Sequence, residues 1–180
     1  MHWSAFDTTE PRLADLGREK LGTPGVVLIG TLRADGSPRI SPVESLFWRG
    51  DLWLSMLWGS KKAADLLRDP RLLVHNIVTS RDGSSGEYKV RGRAVAEADE
   101  AEQAGYAAAI RDQAGWDPVP GAFHLFWVDV AEVTFIRYED ATGDQFVTLW
   151  PAGREFVRRG TTPTSLGEPQ QYSALLSGDL

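Results

Sequence analysis

The chain has 180 residues, a formal net charge of −6 and no cysteine. The acidic balance excludes a broad nucleic-acid-binding surface, which needs clustered Lys and Arg, and the missing thiols exclude disulfides and cysteine-ligated zinc. With 42% hydrophobic residues, no apolar run near the ~20 residues of a membrane helix and no basic or apolar leader in Met1-His2-Trp3-Ser4, the expectation is one soluble, cytoplasmic domain with a normal core.

Residues 9–21 are predicted to form a first helix. Thr9 or Glu10 caps it, Pro11 sits where a first-turn proline is tolerated, and Leu13, Leu16 and Leu21 supply a partial apolar stripe. Gly22-Thr23-Pro24-Gly25 ends it. The β-branched run 26–32 is then a strand, and Ala34-Asp35-Gly36-Ser37 carries the Asp-Gly signal of a hairpin turn. The returning strand 38–48 places Arg39, Ser41, Val43, Ser45 and Phe47 on one face and Ile40, Pro42, Glu44, Leu46 and Trp48 on the other. Pro42 has no N–H to give the ladder, which predicts an opening beside it where a planar ring can lie against backbone. Arg39 reads either as a guanidinium facing that opening or as a solvated strand residue. A turn at Arg49-Gly50-Asp51 leads into a third strand over 52–57, which completes an antiparallel meander.

Gly59-Ser60-Lys61-Lys62 opens a short helix. Ser60 is a good N-cap, Ala63, Leu66 and Leu67 share one face, and Asp69-Pro70 stops it. Two lysines thus stand in a first turn where the helix dipole favours acids. A bound anion reverses that sign, because free N–H groups, a hydroxyl and two ammonium groups converge there. Ser60, Lys61 and Lys62 therefore read as a phosphate cradle; on spacing alone they also fit a solvated helix face.

Residues 71–78 form a strand carrying His75, read as a hydrogen-bonded structural histidine; His2 and His124 are too scattered to make a metal set with it. The loop 79–86 is polar, 87–97 is a long strand, and Asp99-Glu100-Ala101-Glu102 opens a helix to about 111. Strands follow over 123–130, 133–138 and 146–150, the last two joined by the 140–144 turn. Seven tryptophans suggest a broad dimer interface together with a flat-ligand pocket.

The ordered set Gly36-Ser37-Pro38-Arg39-Ile40-Ser41-Pro42-Val43, Gly59-Ser60-Lys61-Lys62, Asp69-Pro70-Arg71 and Val90-Arg91-Gly92-Arg93-Ala94 resembles the FMN-binding split-barrel superfamily, whose best-known class is pyridoxamine 5'-phosphate oxidase. The likeness spans roughly residues 22–98. It implies a fold that is mainly β with flanking helices, a six-stranded antiparallel Greek-key split β-barrel. One domain would cover residues 1–160, with the N-terminal helix at 9–21, the barrel core at 25–98, a helix at 99–111 and C-terminal strands within 123–157. Residues 161–180 are expected to form an extended or disordered tail.

The resemblance further implies an FMN site at the interface of a homodimer. Arg39, Ser41, Pro42 and Val43 on the second strand, Ser55 and Met56 on the third, and Ser60, Lys61 and Lys62 would contact the cofactor. Glu87 of the partner subunit would reach it across the interface. The oxidase branch has an arginine where Ser41 stands, and Arg39 lies one pleat away on the same face. Members that oxidise pyridoxamine phosphate also carry an Arg-x-His pair near the C-terminus; Arg154, Arg158 and Arg159 have no histidine partner, so the resemblance does not extend to that substrate. It implies an oxidoreductase exchanging hydride at flavin N5 with another small molecule. The alternatives are an F420-dependent reductase on the same fold, a non-enzymatic flavin- or haem-binding protein, and a dimer that has lost its cofactor.

Overall fold

The structure, a computed structural model, describes residues 1–173. Its strands are β1 (Val26–Leu32), β2 (Pro38–Trp48), β3 (Asp51–Leu57), β4 (Arg71–His75), β5 (Glu87–Glu97), β6 (Phe123–Glu139), β7 (Asp144–Trp150), β8 (Arg154–Arg158), β9 (Gly160–Thr162), β10 (Ser165–Leu166) and β11 (Gln170–Gln171). The helices are α1 (Trp3–Thr9), α2 (Pro11–Gly17), α3 (Lys61–Arg68) and α4 (Glu100–Ala114), and a π-helical turn, Arg18–Gly22, follows α2. The strands pair in the order β6-β3-β2-β1-β4-β5, and β5 pairs back onto β6. That closes a six-stranded antiparallel β-barrel, to which β7, β8 and β11 add an extension along β6.

Alternation sets the barrel interior. Val27 and Ile29 of β1, Val43 of β2, Leu54 and Met56 of β3, Val74 of β4, and Val90 of β5 are all buried and join one core cluster. β3 is buried on both faces because α4 covers its outside, where Trp53 packs with Tyr106, Ile110 and Phe123. Asp99 caps α4 by accepting from the N–H groups of Ala101 and Glu102, and Gly115 ends it at φ 65°. The helix thus runs past the expected end at 111, until a residue suited to left-handed backbone is reached.

The expected helix at 9–21 is found as α2 and the π-helical turn that carries it to Gly22, with Glu10 as its N-cap residue and Pro11 in its first turn; the separate helix α1 before Glu10 was not expected. Glu10 sits at φ −139°, ψ 65°, since the ring of Pro11 drives the preceding residue out of the helical region. The pieces on either side fold separately, and Trp3, Phe6, Leu13 and Leu21 all enter the barrel core. The strand expected over 71–78 stops at His75 because the Asn76 side chain takes over the ladder: Oδ1 accepts from the Tyr88 N–H at 2.8 Å and Nδ2 donates to the Gly86 carbonyl at 3.1 Å. The two strands expected in 123–138 are one, with a register shift opposite Arg91 and Gly92. At Gly92 the backbones approach so closely that a Cβ would lie 2.2 Å from the Asp129 carbonyl oxygen.

In the expected tail, β9 and β10 pair with each other and β11 pairs with β8; residues 174–180 lie outside the described part. Most of the tryptophans pack within the chain itself. Trp3 and Trp53 are buried, and Trp48, Trp116, Trp127 and Trp150 are partly buried against the two core clusters.

Candidate functional site

The opening expected beside Pro42 lies on one side of β2. Toward β1 the ladder runs unbroken through Leu28↔Pro42, whereas pairing with β3 ends at Glu44↔Ser55. Along the unpaired stretch α3 takes the place of a strand. Lys62 donates from Nζ to the Pro42 carbonyl at 2.7 Å, and Arg39 donates from Nε to Asp65 Oδ2 at 2.6 Å. Lys61, Asp65 and Arg68 fall at i, i+4 and i+7 on the α3 face that looks toward the β1–β2 turn. With Arg33, Asp35 and Arg39 they line a cavity of about 340 Å³. Four cations against two carboxylates make this a positive spot on a chain of net charge −6.

Asp65 anchors the group. It is 4% exposed and also accepts from Thr31 Oγ1 at 3.1 Å and from Arg68. Burial acts to raise its pKa, but the hydrogen bonds from Arg39, Thr31 and Arg68 and the charge of Arg39 outweigh it and hold the carboxyl below its usual range. Arg39 binds Asp65 through Nε alone, which leaves its terminal nitrogens without a partner among the described residues.

The N-terminus of α3 is uncapped. Gly59 adopts φ 71° and Ser60 φ −64°, ψ 142°, yet the Ser60 hydroxyl does not turn onto the helix. Its Oγ is buried with no hydrogen-bond partner among the described residues. Lys61 is exposed and has no ion pair among them.

Other expected site residues lie elsewhere. Val43 and Met56 are 1% exposed and point into the barrel. Ser55 is fully buried on the opposite face, where its Oγ accepts from Tyr106 at 2.9 Å. Ser41 is half-buried opposite Ile29. Glu87 stands at the start of β5, paired with Lys89 at 2.6 Å and 3.8 Å from His75. The structure therefore brings together Arg39, Pro42, Lys61 and Lys62 beside Ser60; the side chains of Val43, Ser55 and Met56 are consumed by packing, and Glu87, expected to act across a subunit interface, stands in its own chain with Lys89 and His75.

Two features had no part in the expected site. Asp65 and Arg68 share a helical spacing with Lys61, and Arg33 comes to them from the β1–β2 turn, but nothing in sequence says which aspartate is buried. Trp58 and His124, 66 positions apart, stack with ring centroids 4.7 Å apart and planes 6° apart. The Gly59 N–H donates to His124 Nε2 at 3.2 Å, and burial lowers the histidine pKa, which suits an unprotonated acceptor nitrogen. A second cavity of about 220 Å³, lined by Glu10, Leu13, Thr148, Glu155 and Tyr172 among others, includes no residue of α3 or β2. Among the described residues no group of three or more His, Asp or Glu could hold a metal, and no helix is long and apolar enough to cross a membrane.

A family model described as pyridoxamine 5'-phosphate oxidase matches residues 14–137. No curated protein matches the sequence. Solved structures share the fold. A Clostridium acetobutylicum protein related to general stress protein 26, of the pyridoxinephosphate oxidase family, is 15% identical with a TM-score of 0.57, over 79% of this chain and 97% of that one. An F420 reductase is 17% identical with a TM-score of 0.51, over 63% and 92%. A haem-binding protein from Mycobacterium smegmatis is 18% identical with a TM-score of 0.53, over 74% and 57%. At these identities the likeness is one of fold.

Proposed function

This chain belongs to the pyridoxamine 5'-phosphate oxidase family, and on that premise we propose that it is a homodimeric, FMN-binding oxidoreductase acting on a small molecule. The observation that carries the reading is the start of α3, where an uncapped helix N-terminus, the orphaned Ser60 Oγ and the unpaired Lys61 meet. A buried hydroxyl oxygen left without a partner costs about 1–3 kcal/mol. A phosphate monoester answers all three features at once: its oxygens accept from the free N–H groups and from Ser60, and its charge complements Lys61 and the helix dipole.

The residues thus fit the cofactor. Ser60 and Lys61 would hold the phosphate, with the terminal nitrogens of Arg39 beside it. Lys62 acts one step back, since its bond to the Pro42 carbonyl fixes the helix start against β2. When bound, FMN supplies hydride exchange at N5, and the chain's part is to bind and orient it. The dimer reading is supported by apolar side chains on the outer barrel face: Ile40 and Leu73, both opposite Gly30 on either side of β1, are 73% and 41% exposed.

A second reading, an F420-dependent reductase, is favoured by one observation. F420 carries a polyglutamate tail, and Arg33 and Arg68 extend the positive cavity beyond the helix start. The visible absorption spectrum of the purified protein, followed through parallel titrations with FMN and F420, separates the two. Stoichiometric flavin uptake that is lost in Lys61→Ala is the expected result; F420 uptake with FMN ignored selects the second reading. If neither cofactor binds at high micromolar concentration, the phosphate-cradle assignment is wrong.

A further inference from the structure

Six of the seven tryptophans are buried or partly buried against the two cores, but Trp58 is 66% exposed. It is nevertheless held in place. Its ring stacks on His124, and His124 is tied by Nε2 to the N–H of Gly59, the residue that follows Trp58. On its other flank His124 stacks with Phe126, at 6.4 Å between centroids and 25° between planes. One indole face is thus backed by imidazole and the other is left open. Trp58, Leu67, Phe123, His124 and Phe126 also line a cleft of about 340 Å³. Ser60 and Lys61, the start of the anion cradle, follow Trp58 after the single residue Gly59. An orienting surface fixed before binding loses little freedom when a ligand arrives, and a flat electron-poor ring gains from lying on an indole.

We propose that the open face of Trp58 is the stacking platform for the planar heteroaromatic ring of the ligand whose anionic tail sits at Ser60 and Lys61. The proposal rests on the function proposed above and adds to it where the ring lies and which residue grips it. Trp58 contacts the ligand directly, and His124 is a positioning residue that keeps the indole in plane.

The test uses the full chain and three probes: FMN, lumiflavin (the same ring without its tail) and inorganic phosphate. Affinities are measured for the wild type and for Trp58→Leu, Trp58→Phe and Lys61→Ala, with circular dichroism and gel filtration reporting fold and subunit mass. Trp58→Leu is expected to weaken FMN and lumiflavin about tenfold, the scale of one lost ring stack, while phosphate affinity stays unchanged. It should also restore ring fluorescence that the indole quenches in the wild type. Trp58→Phe should keep most of the ring affinity, and Lys61→Ala should weaken FMN and phosphate but spare lumiflavin. Equal ring affinity in Trp58→Leu and the wild type overturns the platform, as does a loss that appears only when gel filtration shows the subunits separating. Wild-type protein that binds phosphate but no flavin overturns the platform while leaving the anion cradle standing. Wild-type protein that binds neither overturns the function reading and the platform together.

Discussion

The carboxylate of Asp65 and the guanidinium of Arg39 meet at 2.6 Å between α3 and β2, with Asp65 4% exposed and the two residues 26 positions apart in sequence. This pair ties the short helix to the strand where the regular ladder ends. Removing one partner of a buried ion pair leaves the other charge uncompensated. Arg39→Ala leaves the buried aspartate only the Thr31 hydroxyl and the longer Arg68 contacts at 3.3 and 3.4 Å, and should cost about 3 kcal/mol. Asp65→Ala leaves an arginine able to swing toward water and should cost less. Urea unfolding of the two variants checks the order, and a more damaging Asp65→Ala would mean that the pair is not organised around the acid.

The same pair sets a pH dependence. Asp65 has its pKa depressed in the folded state, so its contribution is present above the unfolded value of 3.8 and is lost as pH falls through the folded one. Wild-type stability should therefore drop more steeply below pH 3.8 than that of Asp65→Asn, which has no proton to take up. Urea midpoints measured from neutral pH down through that point test this, and parallel curves for the two proteins would refute it.

Tyr106 gives the opposite sign at the alkaline end. Burial pushes its phenol up to about 12, against a hydrogen bond to Ser55 that acts the other way. The folded state therefore favours the protonated phenol, and its contribution is complete below the ordinary value of 10.0 and is lost on rising toward about 12. In an alkaline absorbance titration Tyr106→Phe should remove no phenolate signal near pH 10.0. The variant also leaves the buried Ser55 hydroxyl without its donor, at about 1 kcal/mol.

These residues also mark what the sequence could reveal. The strands were legible because alternation and an Asp-Gly turn are local signals, and α3 because Ser60, Ala63, Leu66 and Pro70 are spaced as a helix demands. The start of α2 at Glu10 and Pro11 was equally local, whereas α1 before it, with only Trp3 and Phe6 to mark a buried face, carried no such signal. Asn76 ended a strand by side-chain hydrogen bonding that no propensity describes. The fate of Ser55 depended on α4 covering the outside of β3, so period-two alternation, which puts Met56 in the barrel, could not say that the other face is buried as well. The pairing of Trp58 with His124 exists only once β3 and β6 are adjacent.

Two glycines separate steric from conformational need. A Cβ at Gly92 would meet the Asp129 carbonyl at 2.2 Å, and backbone there cannot yield without disturbing the β5–β6 ladder. Gly92→Ala should cost about 3 kcal/mol or more, the upper end for overpacking. A Cβ at Gly59 meets nothing within 4 Å, but the residue sits at φ 71°. Gly59→Ala should therefore cost only about 1 kcal/mol, while weakening anion binding as the helix start and the His124 bond shift. Thermal unfolding of both, with phosphate titration of the second, distinguishes the two mechanisms; equal costs would contradict this division.

The outer barrel face makes the last prediction, on assembly. Ile40 is 73% exposed, and across β1 at Gly30 it lies in register with Leu73. Side chains so exposed contribute little to the fold of a single chain, so Ile40→Glu should leave the unfolding midpoint of a monomer within about 0.5 kcal/mol of the wild type. If the same face joins two copies, a two-fold axis brings both introduced carboxylates into one interface, where like charges without partners are strongly disfavoured. Sedimentation should then show the wild type at twice the 19.8 kDa chain mass and Ile40→Glu shifted to the single chain, with far-UV circular dichroism unchanged. A variant that stays dimeric would move the interface to another face, and one that unfolds would show that Ile40 packs within its own subunit.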